Sequence, residues 1–172
     1  LTGTGYVTQN FSEWGSFPLM YFLILMFIGG CAGSTACGIK IFRVQILYQF
    51  ISNQLKKIIY PRGIFNIKYE KNNIDEKFMA SIISFIFLYI LIFFIVTALL
   101  SINGLSFITA ISAAATSISN VGPGLGEIIG PNGNFSQLNG FSKWILSIAM
   151  ILGRLELFAV LVLFIPSFWR KY

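Results

Sequence analysis

The chain has 172 residues, of which 56% are hydrophobic and only 10% charged, with a mean hydropathy of +0.78. Soluble domains lie nearer half apolar and a quarter charged, so the composition excludes a water-surrounded globule and places the chain in a bilayer. The net charge of +6 does not indicate nucleic-acid binding, because the basic residues cluster in one connecting loop; with no histidine and two cysteines, no enzyme or metal-site candidate remains.

The chain begins at Leu1, carries no secretory signal and opens inside a turn-rich element, so it reads as a fragment of a longer product. Thr2-Gly3-Thr4-Gly5-Tyr6-Val7-Thr8 precedes the first apolar stretch, Pro18 to about Ile39. Spanning needs about 20 apolar residues, and Phe78–Leu100 and Trp144–Phe164 are the other two stretches that qualify. The first is interrupted near its end by Ile28-Gly29-Gly30-Cys31-Ala32-Gly33-Ser34-Thr35-Ala36-Cys37-Gly38-Ile39-Lys40. Unpaired backbone in hydrocarbon costs several kcal/mol per group, so such a break belongs where protein or a water-filled path covers it. Cys31 and Cys37 are read there as small residues that let helices approach.

Lys40 to Lys77 is rich in Lys and Arg and is assigned to the cytoplasmic side. Helical spacing over Ile41–Ile59 predicts a helix continuing the preceding one, stopped by Pro61-Arg62-Gly63. Ser101 to Ser142 has Glu127 as its acid and Lys143 at its edge, so it faces the opposite side. Leu105–Ala115 is too short to span and is followed by Thr116-Ser117-Ile118-Ser119-Asn120-Val121-Gly122-Pro123-Gly124-Leu125-Gly126. A half-helix followed by a glycine-rich strand is the layout of a re-entrant pore loop; an interfacial loop is the alternative. Gly130-Pro131-Asn132-Gly133-Asn134 is an extramembrane turn.

Arg154 interrupts the last span. A charge there costs about 2.5–3.5 kcal/mol and is expected to face an interior path, with pairing to Glu156 or snorkelling to the interface as alternatives. The order is then strand, helix, cytoplasmic loop, helix, half-helix, strand, helix. It divides the chain into 1–40, 41–77 and 78–172: the end of one repeat, a cytoplasmic helix with a basic loop, and one complete repeat. Carbonyls around glycine-containing strands can replace a cation's hydration shell, and Gly5 and Gly122 are the candidates, with Thr4, Tyr6, Asn120 and Val121 beside them. Gly33 to Lys40 fails as a phosphate-binding loop, and Gly122–Gly126 fails as a dinucleotide fingerprint.

Ile28–Thr35 with Gly38-Ile39-Lys40, Ser119–Gly124, and Leu152-Gly153-Arg154-Leu155-Glu156 with Pro166 and Phe168-Trp169-Arg170 together resemble one family. It is the Trk/Ktr potassium-uptake family, most closely its TrkH type, and the likeness runs from Thr2 to Arg170. The resemblance implies an all-α integral membrane protein of four helix–pore loop–helix repeats, with the end of the third and all of the fourth present here. It makes Gly5 and Gly122 the filter glycines whose carbonyls take potassium. Gly29, Gly30, Gly33, Ser34, Thr35 and Gly38 become an intramembrane gating loop, with Arg154 facing it.

Potassium is then the substrate and no organic cofactor is expected. The implied partners are the remaining repeats, a second copy in a homodimer, a cytosolic nucleotide-binding regulatory subunit and the lipid of a bacterial cytoplasmic (inner) membrane, crossed several times. The family usually has Gly-Gly at Ala36-Cys37, so this loop is expected to be stiffer than most; it more often has threonine at Gly3 and Ala-Asp at Gln9-Asn10, and neither change removes a filter glycine. Channel-like flow and ion-coupled symport both fit. The alternative function is a non-conducting membrane remnant or scaffold.

Overall fold

The computed structural model describes residues 5–34, 36–63, 65, 67–69, 72–126, 128–155, 160, 162–163 and 166–169. Among these, the architecture is helical except for one two-residue ladder. After a 3₁₀ turn at Phe11–Trp14 come α1 (Ser16–Phe27), α2 (Ile41–Ile59), α3 (Glu76–Ile102), α4 (Phe107–Ser119), α5 (Gly140–Arg154) and a final turn, α6 (Pro166–Trp169). A second 3₁₀ turn, Phe135–Gln137, precedes α5. The ladder joins β1 (Lys68–Tyr69) to β2 (Asn72–Asn73) in antiparallel register inside the basic loop, where no strand was expected.

Of the three expected spans, one is continuous among the described residues. α3 is apolar from Lys77 to Ile102, and at 1.5 Å per residue its 27 residues reach about 40 Å, beyond the roughly 30 Å of a hydrocarbon core. The first expected span breaks where the glycine run begins. α1 stops at Phe27 after 12 residues, about 18 Å, because Ile28 turns extended and bridges Ile39 in parallel instead of continuing the helix. α2 is therefore a separate helix beginning after Lys40, not a continuation of α1. The last expected span is corrected: α5 ends at Arg154 with Leu155 as its cap, and residues 156–159, Glu156 included, lie outside the described residues.

The half-helix is present as α4, shifted two to four residues toward the C-terminus of its expected range because Ser106 caps it, its hydroxyl accepting from the Thr109 N–H. α4 is the buried centre. Ala110, Ala113, Ala114 and Ala115 are fully enclosed, and α3 and α5 pack on either side of it, with α1 closing a third. Small side chains let helix backbones approach closely in an apolar medium, where burial alone gives no preference for helix over lipid. Phe85, Tyr89, Val96 and Leu100 of α3 and Leu146 and Ala149 of α5 complete that core.

Candidate functional site

The strand after α4 is held by the hydroxyls of α4 itself. Asn120 takes a left-handed conformation (φ 52°, ψ 45°) that ends the helix and turns the chain back. The Val121 N–H then donates to the Thr116 carbonyl at 3.0 Å, and the Gly122 N–H to Thr116 Oγ1 at 2.9 Å. Further on, Ser112 Oγ donates to the Leu125 carbonyl at 3.1 Å, and the Gly124 N–H to the Ile129 carbonyl at 2.7 Å. The Val121 and Gly122 N–H groups and the Leu125 carbonyl are thus tied to α4, and the Gly124 N–H to the turn that follows. Buried polar groups need such partners; Ser117 Oγ is the buried side-chain oxygen without one among the described residues.

Gly5 and Gly122, from opposite ends of the chain, lie against each other. A Cβ on Gly5 would stand 2.8 Å from the Val121 carbonyl oxygen and 3.6 Å from the Gly122 Cα. Both glycines have positive φ, 74° and 114°, a region that side chains disfavour. Tyr6 follows with its ring fully exposed, while Thr4 lies outside the described residues.

Beneath this pair the Gly29–Gly38 loop is closed at its base and open at its tip. The Gly29 N–H donates to the Ile39 carbonyl at 2.8 Å, the Ile39 N–H to the Phe27 carbonyl at 2.9 Å, and the Ile41 N–H to the Gly30 carbonyl at 3.2 Å. Phe27 anchors that base by packing edge-on against Phe93, with ring centroids 5.0 Å apart. At the tip, Gly33 has open space around it and the Lys40 ammonium donates to the Ser34 carbonyl. Thr35 lies outside the described residues.

Two cavities meet at this loop. One, of about 310 Å³, is lined by Gly5, Ser119, Val121, Gly29, Ala36 and Cys37 among others. The second, of about 290 Å³, is lined by Ser34, Lys40, Arg43, Phe85 and Arg154, and again by Ala36 and Cys37. Ala36 and Cys37 therefore form the wall shared by both. From the far side Arg154 Nη1 donates to Cys37 Sγ at 3.7 Å. Arg43 stacks its guanidinium over Phe85, 3.9 Å from the ring centroid. Thus Gly5, Val121 and Gly29 line one cavity and Gly38 and Arg154 the other, with Gly122 against Gly5, although they are scattered in sequence.

A family model described as a cation transport protein, TrkH, matches residues 1–171. The chain belongs to the TrkH family. A Halomonas elongata protein named Trk system potassium uptake protein TrkI is 43% identical over 99% of this chain and 35% of its own length. The potassium uptake protein TrkH of Vibrio parahaemolyticus is 36% identical over 99% of this chain and 34% of its own length. The crystal structure of the potassium transporter TrkH from Vibrio parahaemolyticus superposes with a TM-score of 0.88 at 35% identity, over 98% of this chain and 35% of that one. The chain thus spans about a third of the length of the curated relatives it matches. TrkH-family proteins are transporters rather than enzymes.

Several contacts escaped the sequence reading. The Tyr89 hydroxyl of α3 shares a 2.7 Å hydrogen bond with Ser119 Oγ at the end of α4. Asn120 Nδ2 donates to the Met150 carbonyl of α5 at 3.1 Å. Gly153 sits so close to the Ile118 carbonyl that a Cβ there would overlap it. Gly153 was visible as a glycine inside an apolar helix, a usual sign of close approach; Tyr89 gave no signal beyond being a polar aromatic within a span.

Proposed function

We propose that this chain forms one side of a potassium pathway across the bacterial cytoplasmic (inner) membrane, with the strands at Gly5 and Gly122 contributing carbonyls to its selectivity filter. The observation that carries the reading is the juxtaposition of those two positive-φ glycines beside a 310 Å³ cavity that Gly5, Val121 and Ser119 line. A dehydrated cation needs several oxygens at once, and two strands supply only part of a ring; the remaining repeats of the protein complete it. The carbonyl end of α4 abuts the same cavity, and a helix C-terminus carries about half a negative charge, which favours a cation there.

In this reading residues 1–40 and 78–172 are the end of the third repeat and the whole of the fourth, and 41–77 is the cytoplasmic connection. The loop from Gly29 to Gly38 gates the pathway at Ala36-Cys37, and Arg154 holds that wall closed from the far cavity while placing positive charge near the cation route. Potassium is the substrate, without an organic cofactor in this chain. A homodimer, with a cytosolic nucleotide-binding subunit against the basic connection, completes the assembly. The names of the relatives, all Trk system potassium uptake proteins, support the substrate. The test is growth at low potassium of a bacterial strain lacking its own uptake systems. The full-length protein containing this chain restores growth if the reading holds; failure, with the protein present in the membrane, favours a non-conducting scaffold.

A further inference from the structure

We propose that the last turn of α5 couples the Ala36-Cys37 wall to the Asn120–Gly122 strand, and that the side chain of Asn120 is the positioning residue of that coupling. The inference rests on the filter-and-gate reading above and adds a link between its two parts. Met150 to Arg154 spans about 6 Å along the helix axis, and within it three contacts reach three different places. The Met150 carbonyl accepts the Asn120 amide at 3.1 Å, Gly153 lies against the Ile118 carbonyl, and Arg154 reaches Cys37 Sγ at 3.7 Å. A hydrogen-bonded turn moves as one piece, so a shift of Arg154 with the loop also shifts Met150.

The surroundings direct that shift to Asn120. The base of the loop is fastened by the Gly29–Ile39 and Ile39–Phe27 hydrogen bonds, so displacement is confined to the tip and the Cys37 wall that Arg154 touches. At the other end Tyr89 fixes Ser119 from α3, and the α4 residues Ser112–Ser119 are all buried. Movement is therefore taken up after Ser119, at the left-handed Asn120, whose next residues are Val121 and Gly122. Gly5 approaches the Val121 carbonyl, so any rotation there alters the proposed ion-facing oxygens.

The test is a double-mutant cycle in the full-length protein reconstituted in vesicles, reading potassium and sodium flux separately. Asn120→Gly keeps the left-handed backbone and deletes the side chain with its amide; Asn120→Asp, which removes the donor at constant size, serves if the glycine variant does not fold. Arg154→Ala is expected to change the potassium-to-sodium ratio about tenfold in the native background, in the usual range of coupling between sites. In the Asn120→Gly background the same change alters flux and leaves the ratio within about twofold. Equal shifts in both backgrounds, or no shift in either, overturn the coupling. Gly122→Ser run alongside separates the failures: a lowered ratio with an additive cycle rejects the coupling alone, whereas an unchanged ratio rejects the filter reading and the coupling with it.

Discussion

Gly153 of α5 packs directly on the carbonyl of Ile118 near the end of α4, with no room for a methyl group between them. Two effects of opposite sign compete when that glycine is replaced by alanine. Helix propensity favours alanine by about 1 kcal/mol, while overpacking against a backbone atom that cannot rotate away costs about 1–3 kcal/mol or more. The clash wins, because the obstacle is main chain at Ile118, in the fully buried C-terminal part of α4. Gly153→Ala in the full-length protein is expected to lower its thermal midpoint in detergent; an unchanged or raised midpoint means the helices do not meet as described.

Thr116 is the second pivot of the strand, since its Oγ1 takes the Gly122 N–H. Thr116→Val preserves shape but removes the acceptor that the Gly122 N–H uses, whereas Thr116→Ser keeps that acceptor. The valine variant is expected to lose discrimination between potassium and sodium and the serine variant to keep it. A valine variant that stays selective while the serine variant does not would assign the role to the methyl group, and equal behaviour of the two would show that the hydroxyl does not decide it.

The sequence made some of this arrangement legible and hid the rest for a physical reason. The apolar run ending at Leu100, the α2 spacing from Ile41 to Ile59 and the stop at Pro61-Arg62-Gly63 are local signals, and the helices form there. The glycine run from Gly29 to Gly38 signalled a break, but its path depends on Ile28 pairing with Ile39 and on Phe27 packing against Phe93, and both partners are chosen by tertiary contact. The end of α1 at Phe27 falls where the Ile28–Lys40 run begins, so the position of that break was legible. Gly5 and Gly122 stood out individually, yet only the folded chain places them side by side. Asn120 was noted for its backbone carbonyl, while its side chain reaches Met150, a residue with no distinguishing mark in sequence.

Arg154 holds the loop through Cys37 and lines the cavity beyond the shared wall. Under the proposed gating role, removing its charge and its contact releases the wall and lowers the electrostatic barrier together. Arg154→Ala is expected to raise basal potassium flux about tenfold, the equivalent of about 1.4 kcal/mol in barrier height. Flux assays on vesicles check this, and an unaltered rate would place the arginine head group at the membrane surface, outside the gate.

The most direct measurement of the central claim is the potassium-to-sodium flux ratio of Gly122→Ser in the full-length protein. Space is not limiting at this position, because a Cβ would meet only the Gly5 Cα, at an ordinary 3.5 Å. The φ of 114° is what a serine resists, at a cost on the order of 1–3 kcal/mol, so the strand must relax and turn its carbonyls. The account predicts a ratio lowered about tenfold with potassium flux still measurable. A ratio equal to that of the unaltered protein would contradict it, and would remove Gly122 from the ion path.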